Sequence, residues 1–163
     1  MAITITRDGF GQVELNHVSA QRAGRVYAQL PAGDEFEQLE NGQFVKYDYA
    51  AGECNLSGKG AWMLVYNEEQ LYDEREQNHK HWVMKPAYDG TMYPRVYTLV
   101  VGDIYTTNMV VEGEYKQGDT LVPGEDGILT AGNDGDLVLQ VAKEFTLPDG
   151  QPALKLQVIK AIS

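Results

Sequence analysis

The sequence has little of several features on which common classes of protein function depend. It contains a single cysteine, Cys54, so an internal disulfide is excluded. It has 13 Lys and Arg residues against 24 Asp and Glu residues, which gives a formal net charge of -11 at pH 7. Binding to bare nucleic acid or to an anionic membrane surface requires an excess of basic residues. We therefore expect neither as a partner.

Long apolar runs and catalytic motifs are also missing. No stretch of about 18 apolar residues occurs, and residues 1–12 contain no apolar signal core. We therefore expect no membrane-spanning helix, and a protein that is made in the cytosol and stays soluble. Neither a G-x-S-x-G nucleophile elbow nor a phosphate-binding G-x-x-x-x-G-K-[ST] loop is present. We assign no catalytic residue, no cofactor and no enzymatic activity.

Glycine, by contrast, is abundant: 17 glycines separate short runs that are rich in Val, Ile, Thr, Tyr and Phe. This pattern is typical of an all-β sandwich or barrel, and no long segment places apolar residues at helical spacing. The length of 163 residues and the apolar fraction of 43% suit one domain. We predict a single compact β-barrel or β-sandwich of short antiparallel strands over residues 26–163, preceded by an extended N-terminal arm over residues 1–25.

The strands themselves are predicted from alternating or continuous apolar runs between turn residues. The strands predicted at 137–146 and 153–162 should form a hairpin across the turn at residues 148–150. Residues 67–82 are expected to form a short helix or an ordered surface excursion, because Asn67 suits a helix cap but few apolar side chains follow it. The predicted strands are 25–30, 43–49, 60–66, 95–101, 104–111, 128–130, 137–146 and 153–162.

Arginine is concentrated in the predicted arm. Residues 1–31 carry Arg7, Arg22 and Arg25 against Asp8 and Glu14, so this segment is slightly positive in an otherwise acidic chain. One interpretation is an ordinary edge strand and loop. The other is an arm that reaches a neighbouring subunit or an acidic partner surface, and then the three arginines are candidate contact residues.

The histidines offer two hypotheses for chemistry. On a strand, His79 and His81 would point the same way and could share a zinc ion. A further ligand is needed, and no fixed spacing singles out either of the nearby acids, Glu74 and Glu76. Cys54 would be a nucleophile only with a base beside it, such as His17, His79 or His81. A solvated loop and a half-buried thiol are the stronger interpretations, and we predict no metal site.

The acidic, glycine-rich stretch GDTLVPGEDGILTAGNDGD, residues 118–136, has two interpretations. One is a calcium site built from Asp126, Asn133, Asp134 and Asp136. An EF-hand would also need a terminal glutamate, and residues 137–141 contain no acid. The glycines are spaced as tight turns require, because glycine readily adopts positive φ. We favour two tight turns around a short strand at 128–130.

The same stretch carries a resemblance to a known family. The order G-D-x-L-x-P-G-x-x-G-x-L, followed by x-P-D-G-x-P-x-L across the last hairpin, resembles the head decoration, or cement, proteins of tailed bacteriophages. The resemblance covers about residues 95–163 and, more loosely, residues 40–66. The residues that match are Gly118, Asp119, Leu121, Pro123, Gly124, Gly127, Leu129, Pro148, Asp149, Gly150, Pro152 and Leu154.

This resemblance implies a structural role in the virion. A cement protein binds the major capsid protein on the outside of the capsid, often as a trimer, and stabilises the shell. Aromatic side chains are common anchors of such contacts, and Tyr88, Tyr93 and Tyr97 are candidates, although packing in the core or in turns is the interpretation that we favour for them. The alternatives are another virion component, such as a head fibre base or a tail or head–tail joining protein, and a small-ligand or metal-binding β-barrel.

Overall fold

A computed structural model describes residues 2–8, 10–33, 35–36, 38–67 and 93–162. Within these ranges the all-β prediction is confirmed: antiparallel strands form a compact sandwich-like fold that does not close into a barrel. The elements are β1 (Ala2–Ile5), β2 (Val13–His17), α1 (Ala20–Ala23), β3 (Val26–Tyr27), β4 (Phe44–Asp48), β5 (Glu53–Asn55), β6 (Trp62–Val65), β7 (Val96–Thr98), β8 (Ile104–Thr107), β9 (Gly113–Lys116), β10 (Thr120–Pro123), β11 (Leu129–Ala131), β12 (Leu137–Thr146) and β13 (Pro152–Ala161).

One layer of the sandwich is a six-stranded antiparallel sheet in the order β11-β10-β12-β13-β8-β2. Its longest strands, β12 and β13, form the predicted hairpin across residues 148–150. Leu139, Leu154 and Leu156 are fully buried on its inner face. Because hairpin pairing needs only a local turn, this part of the sheet was accessible to sequence reasoning.

The other layer is a five-stranded sheet in the order β3-β7-β6-β4-β5. Both of its faces are buried, which explains the almost continuous apolar run around β6. One face packs against the six-stranded sheet and the other against a smaller cluster that includes Leu39 and Leu30. Along three strands the two faces alternate, with Phe44, Leu64 and Tyr97 on the inner face and Val45, Val65 and Val96 on the outer face.

The N-terminal segment contributes to the same core. Strand β1 pairs with β9, and Ile3 and Ile5 are buried in the main cluster. Strand β2 forms an edge of the six-stranded sheet beside β8. Gln151, in the turn between β12 and β13, donates from its side chain to the Asp8 carbonyl and accepts from the Asp8 N–H. Strands β1 and β2 of the predicted arm are thus paired within sheets of their own chain, and contact of the arm with a partner stays a prediction.

Two described strands are shorter than predicted, because side chains accept the hydrogen bonds of backbone N–H groups that would otherwise pair with a neighbouring strand. The strand predicted at 95–101 ends at Thr98, because the Asp103 carboxylate accepts from the Val100 N–H and starts a turn. The strand predicted at 104–111 ends at Thr107, whose hydroxyl accepts from the Met109 N–H. Strands β9 and β10 were not predicted, since they lie among the turn residues of 113–123.

The stretch at 118–136 forms strand β10, a turn, strand β11 and a second turn before β12. The two predicted turns are confirmed, and the strand between them is shifted by one residue. The Asp126 carboxylate accepts from the Ile128 N–H, and Gly127 adopts φ 79°. The Gly127 carbonyl also accepts from the Phe44 N–H at 2.8 Å, so this turn joins the two sheets.

Candidate functional site

The arginines predicted to contact a partner lie at separate places in the fold. The Arg7 side chain is half-buried, and its backbone N–H donates to a Glu112 carboxylate oxygen. Arg22 is exposed in the last turn of α1. Arg25 is exposed directly after Gly24, which ends that helix in the left-handed conformation. Arg22 and Arg25 therefore stand at and just after the end of α1, whereas Arg7 follows β1.

The three predicted tyrosines have different outcomes. Tyr97 is 2% exposed, belongs to the main core cluster, and its ring packs edge-on against Tyr66 at 5.9 Å between centroids. Its side chain stabilises the fold and offers no surface to a partner. Tyr93 is 49% exposed and keeps its candidate role. Tyr88 lies outside the described residues.

A cleft of about 150 Å³ opens between the two sheets, at the end where β6 begins and β7 ends. We call it the Arg25 cleft, because Arg25 is the charged residue that lines it. The five-stranded sheet contributes Trp62, and the six-stranded sheet contributes Leu137. Val101 and Ile162 line it as well and are 63% and 53% exposed. Because these two exposed apolar side chains share one cleft with Trp62 and Leu137, they form an apolar surface that is suited to contact.

The turn that carries Val101 is held from several sides. The buried Asp103 carboxylate accepts from the Val100 N–H and from both the N–H and the hydroxyl of Ser19. Gly102 takes φ 100° and donates to the Val158 carbonyl of β13. Because these contacts fix the turn against Ser19 and against β13, Val101 is held in its exposed position by a rigid frame.

The charged residue that lines the Arg25 cleft is positive. The Arg25 carbonyl accepts from the N–H and hydroxyl of Thr98, which fixes the residue beside β7, and its guanidinium forms no ion pair with any described residue. The Lys46 ammonium lies 4.5 Å from the centre of the Trp62 ring. In a chain of net charge -11, such a site favours an apolar group with a negative charge next to it.

Sequence reasoning selected Arg25 but missed the apolar residues around it. Trp62 was placed inside a strand, and Val101 and Ile162 were each placed at the end of one. The available signal was the Gly102-Asp103 turn directly after Val101, since a turn is where an apolar side chain can stay exposed.

The hypotheses of metal binding find no support among the described residues. There, no three His, Cys, Asp or Glu side chains converge as a metal site requires. Of the acids proposed for calcium, Asp126 uses a carboxylate oxygen to close its own turn. His79, His81 and the neighbouring acids Glu74 and Glu76 lie outside the described residues.

Cys54 is a structural residue. Its side chain is fully buried, and its thiol donates to the Leu30 carbonyl at 3.5 Å. Burial, together with the nearby charge of Glu53, raises the pKa of the Cys54 thiol to about 12. Because only the thiolate is nucleophilic, Cys54 is inert at neutral pH.

Comparisons with known proteins gave no match: no family model, no curated protein and no solved structure matches this chain. Within the part of the chain that the structure describes, no helix is long and apolar enough to cross a membrane. A function must therefore be inferred from the chemistry of the surface, and the Arg25 cleft is the site that this chemistry favours.

Proposed function

We propose that the protein is a bacteriophage virion structural protein that binds the outside of the capsid and stabilises it. The observation that supports this most is the Arg25 cleft, where exposed apolar side chains and a cation stand on a rigid β frame. The partner in this proposal is the major capsid protein. Self-association of the bound protein, for example as a trimer, is part of the same proposal.

The size of the cleft indicates how the contact would form. A cavity of about 150 Å³ holds a group the size of benzene. One aliphatic or aromatic side chain of a capsid subunit therefore fits, and burying it contributes about 1.5–3 kcal/mol. A carboxylate next to that side chain would meet Arg25. Such a contact is weak alone, but copies linked in a trimer would bind neighbouring capsid subunits together and gain affinity through avidity.

The rigidity of the frame suits this role. A clamp transmits force between capsid subunits only if its own sheets do not shift. Here the turn at Gly127 bonds to β4, and Gln12 bonds through its side chain to Asp149 and through its backbone N–H to Asn108. These contacts tie the N-terminal segment, the end of β8 and the β12–β13 turn together.

The test is to add the purified protein back to capsids stripped of their outer proteins. Capsid melting temperature and co-sedimentation are measured for the wild type, Ile162→Asp and Val101→Asp. The matched control is Val111→Asp, since Val111 is 46% exposed but does not line the Arg25 cleft. We expect both cleft variants to bind about tenfold more weakly and the control to behave as the wild type.

Two outcomes would change the proposal. Absence of wild-type binding to any part of the virion would refute it. Binding to the tail or neck instead of the head, seen by electron microscopy of labelled protein, would assign the chain to another virion component, such as a head fibre base or a joining protein.

A further inference from the structure

A second surface is created by an unpaired strand edge. Residues 143–146 of β12 pair with β13 on one side only, because β10 pairs with β12 no further than Leu139 and Gln140. Val141, just before this segment, still bonds to Gly118 and Asp119. Beyond it, no backbone hydrogen bond joins residues 143–146 to any described residue outside β13. Such an edge presents free N–H and C=O groups to an incoming strand.

An open groove runs beside this edge. It measures about 430 Å³ and separates β12 from the β1–β9 ribbon and the turn that follows it. Its lining residues are Ile3, Lys116, Gln117, Lys143 and Glu144. The room for a further backbone therefore lies where β12 lacks a neighbour.

Lysine side chains are gathered along the same edge. A β-bulge between Val141 and Lys143 places Lys143 directly opposite Lys155 on β13. Like charges in such a position destabilise a sheet, and in the described chain neither lysine forms an ion pair with a carboxylate. Glu14 lies in the same cross-strand row as Lys155, with Thr106 between them. It is therefore two strands, or about 10 Å, away from Lys155.

The balance of charge at the groove is positive. Lys116 and Lys143 line it and Lys155 adjoins it, against the carboxylates of Glu144, which lines it, and Asp119, which accepts from the Lys116 N–H. The chain has nearly twice as many acidic as basic residues, so a neutralising neighbour from its own sequence would be easy to supply. Among the described residues, however, none of the three lysines forms an ion pair with a carboxylate.

We propose that this β12 edge docks an extended acidic segment of a partner protein. The segment adds a strand to the six-stranded sheet next to residues 143–146, and its carboxylates contact Lys116 and Lys143. Main-chain hydrogen bonds supply affinity and the alternating side chains supply specificity, as in other β-strand additions. This inference stands independently of the proposed capsid role.

A second copy of the chain is a poorer occupant. Symmetric edge-to-edge pairing would bring the lysines of two copies together, and each copy carries a net charge of -11. The repulsion between the lysines and the repulsion between the two net charges both oppose that contact, whereas an acidic segment of another protein is attracted to the local positive charge.

The experiment uses the full chain and a short, end-blocked, fluorescently labelled peptide in which Glu and Val alternate. Its anisotropy is measured against the wild type, Lys143→Glu, and the matched control Lys160→Glu, an exposed lysine on β13 outside the groove. A peptide of the same sequence with alternate backbone nitrogens methylated keeps the charge but cannot pair as a strand. Hydrogen exchange of residues 143–146 is followed with and without each peptide.

We expect the unmodified peptide to bind, to protect these amides, and to bind Lys143→Glu about tenfold more weakly, or about 1.4 kcal/mol. The control variant should match the wild type, and the methylated peptide should neither bind as tightly nor protect the amides. Equal binding of both peptides would overturn the strand addition. Absence of binding, or self-association of Lys143→Ala on sedimentation, would overturn the proposal and show that the lysines only shield the edge.

Discussion

The turn at Gly127 gives a sharp test of how the two sheets are joined. Gly127 has φ 79°, and a Cβ added there would overlap the Phe44 carbonyl oxygen. The Phe44 N–H also donates to the Gly127 carbonyl at 2.8 Å. Gly118 is a matched control, because it too has positive φ, at 95°, but a Cβ there meets no atom within 4 Å.

We predict that Gly118→Ala lowers the free energy of unfolding by about 1–2 kcal/mol, the cost of a left-handed conformation for alanine. Gly127→Ala carries the same cost. It adds about 1 kcal/mol for the disturbed hydrogen bond to Phe44 and about 1–3 kcal/mol for the overlap. We therefore expect a loss of about 3–6 kcal/mol in total, a large part of the stability of a domain.

Urea unfolding followed by tryptophan fluorescence measures both variants with one probe. The informative quantity is the difference in free energy of unfolding between the two variants, because both carry the same cost of the left-handed conformation and that cost cancels. If Gly127→Ala and Gly118→Ala agree within about 0.5 kcal/mol, which is the additivity error for independent sites, the contact between this turn and β4 does not hold the sheets together.

Three further predictions concern buried and hydrogen-bonded groups. Tyr105→Phe should keep or raise the free energy of unfolding by about 1 kcal/mol, because the buried hydroxyl has no partner among the described residues; a clear decrease in urea unfolding would contradict this. Cys54 should react with iodoacetamide only in the unfolded protein, since its pKa is raised to about 12; stoichiometric labelling of the native chain at neutral pH would refute its burial. Hydrogen bonds from Asn55, then from the Ala51 N–H, hold the pKa of Asp48 below its ordinary 3.8, so its stabilising effect is present above that pH and is lost as pH falls through the folded-state value. Asp48→Asn should therefore be less stable than the wild type at neutral pH, with a difference in melting temperature that shrinks in acid; a constant difference would contradict the assignment.

The two proposed surfaces differ in how they could have been found. Arg25 stood out in the sequence because arginine is concentrated near the N-terminus of an acidic chain. The exposure of Val101 and Ile162 follows from the turn at Asp103 and from the gap between two sheets, which no local pattern encodes. Lys143 and Lys155 face each other only because a one-residue bulge shifts the register of β12.

The sequence by itself determined the local elements of this protein. Alternating side chains predicted most of the strands, and the Pro-Asp-Gly turn at 148–150 predicted the hairpin of β12 and β13, because period, turn and pairing all lie within one short segment. Glycine spacing likewise predicted the turns of 118–136.

Only the tertiary structure decided which strands became neighbours and which faces were covered. The pairing of β1 with β9 and of β2 with β8 joins residues that are far apart along the chain, and no local propensity encodes such contacts. For the same reason Tyr97 became a core residue while Val101, four residues later, became part of a surface cleft. The elements are set by neighbouring residues, and the candidate sites are set by the contacts between the sheets.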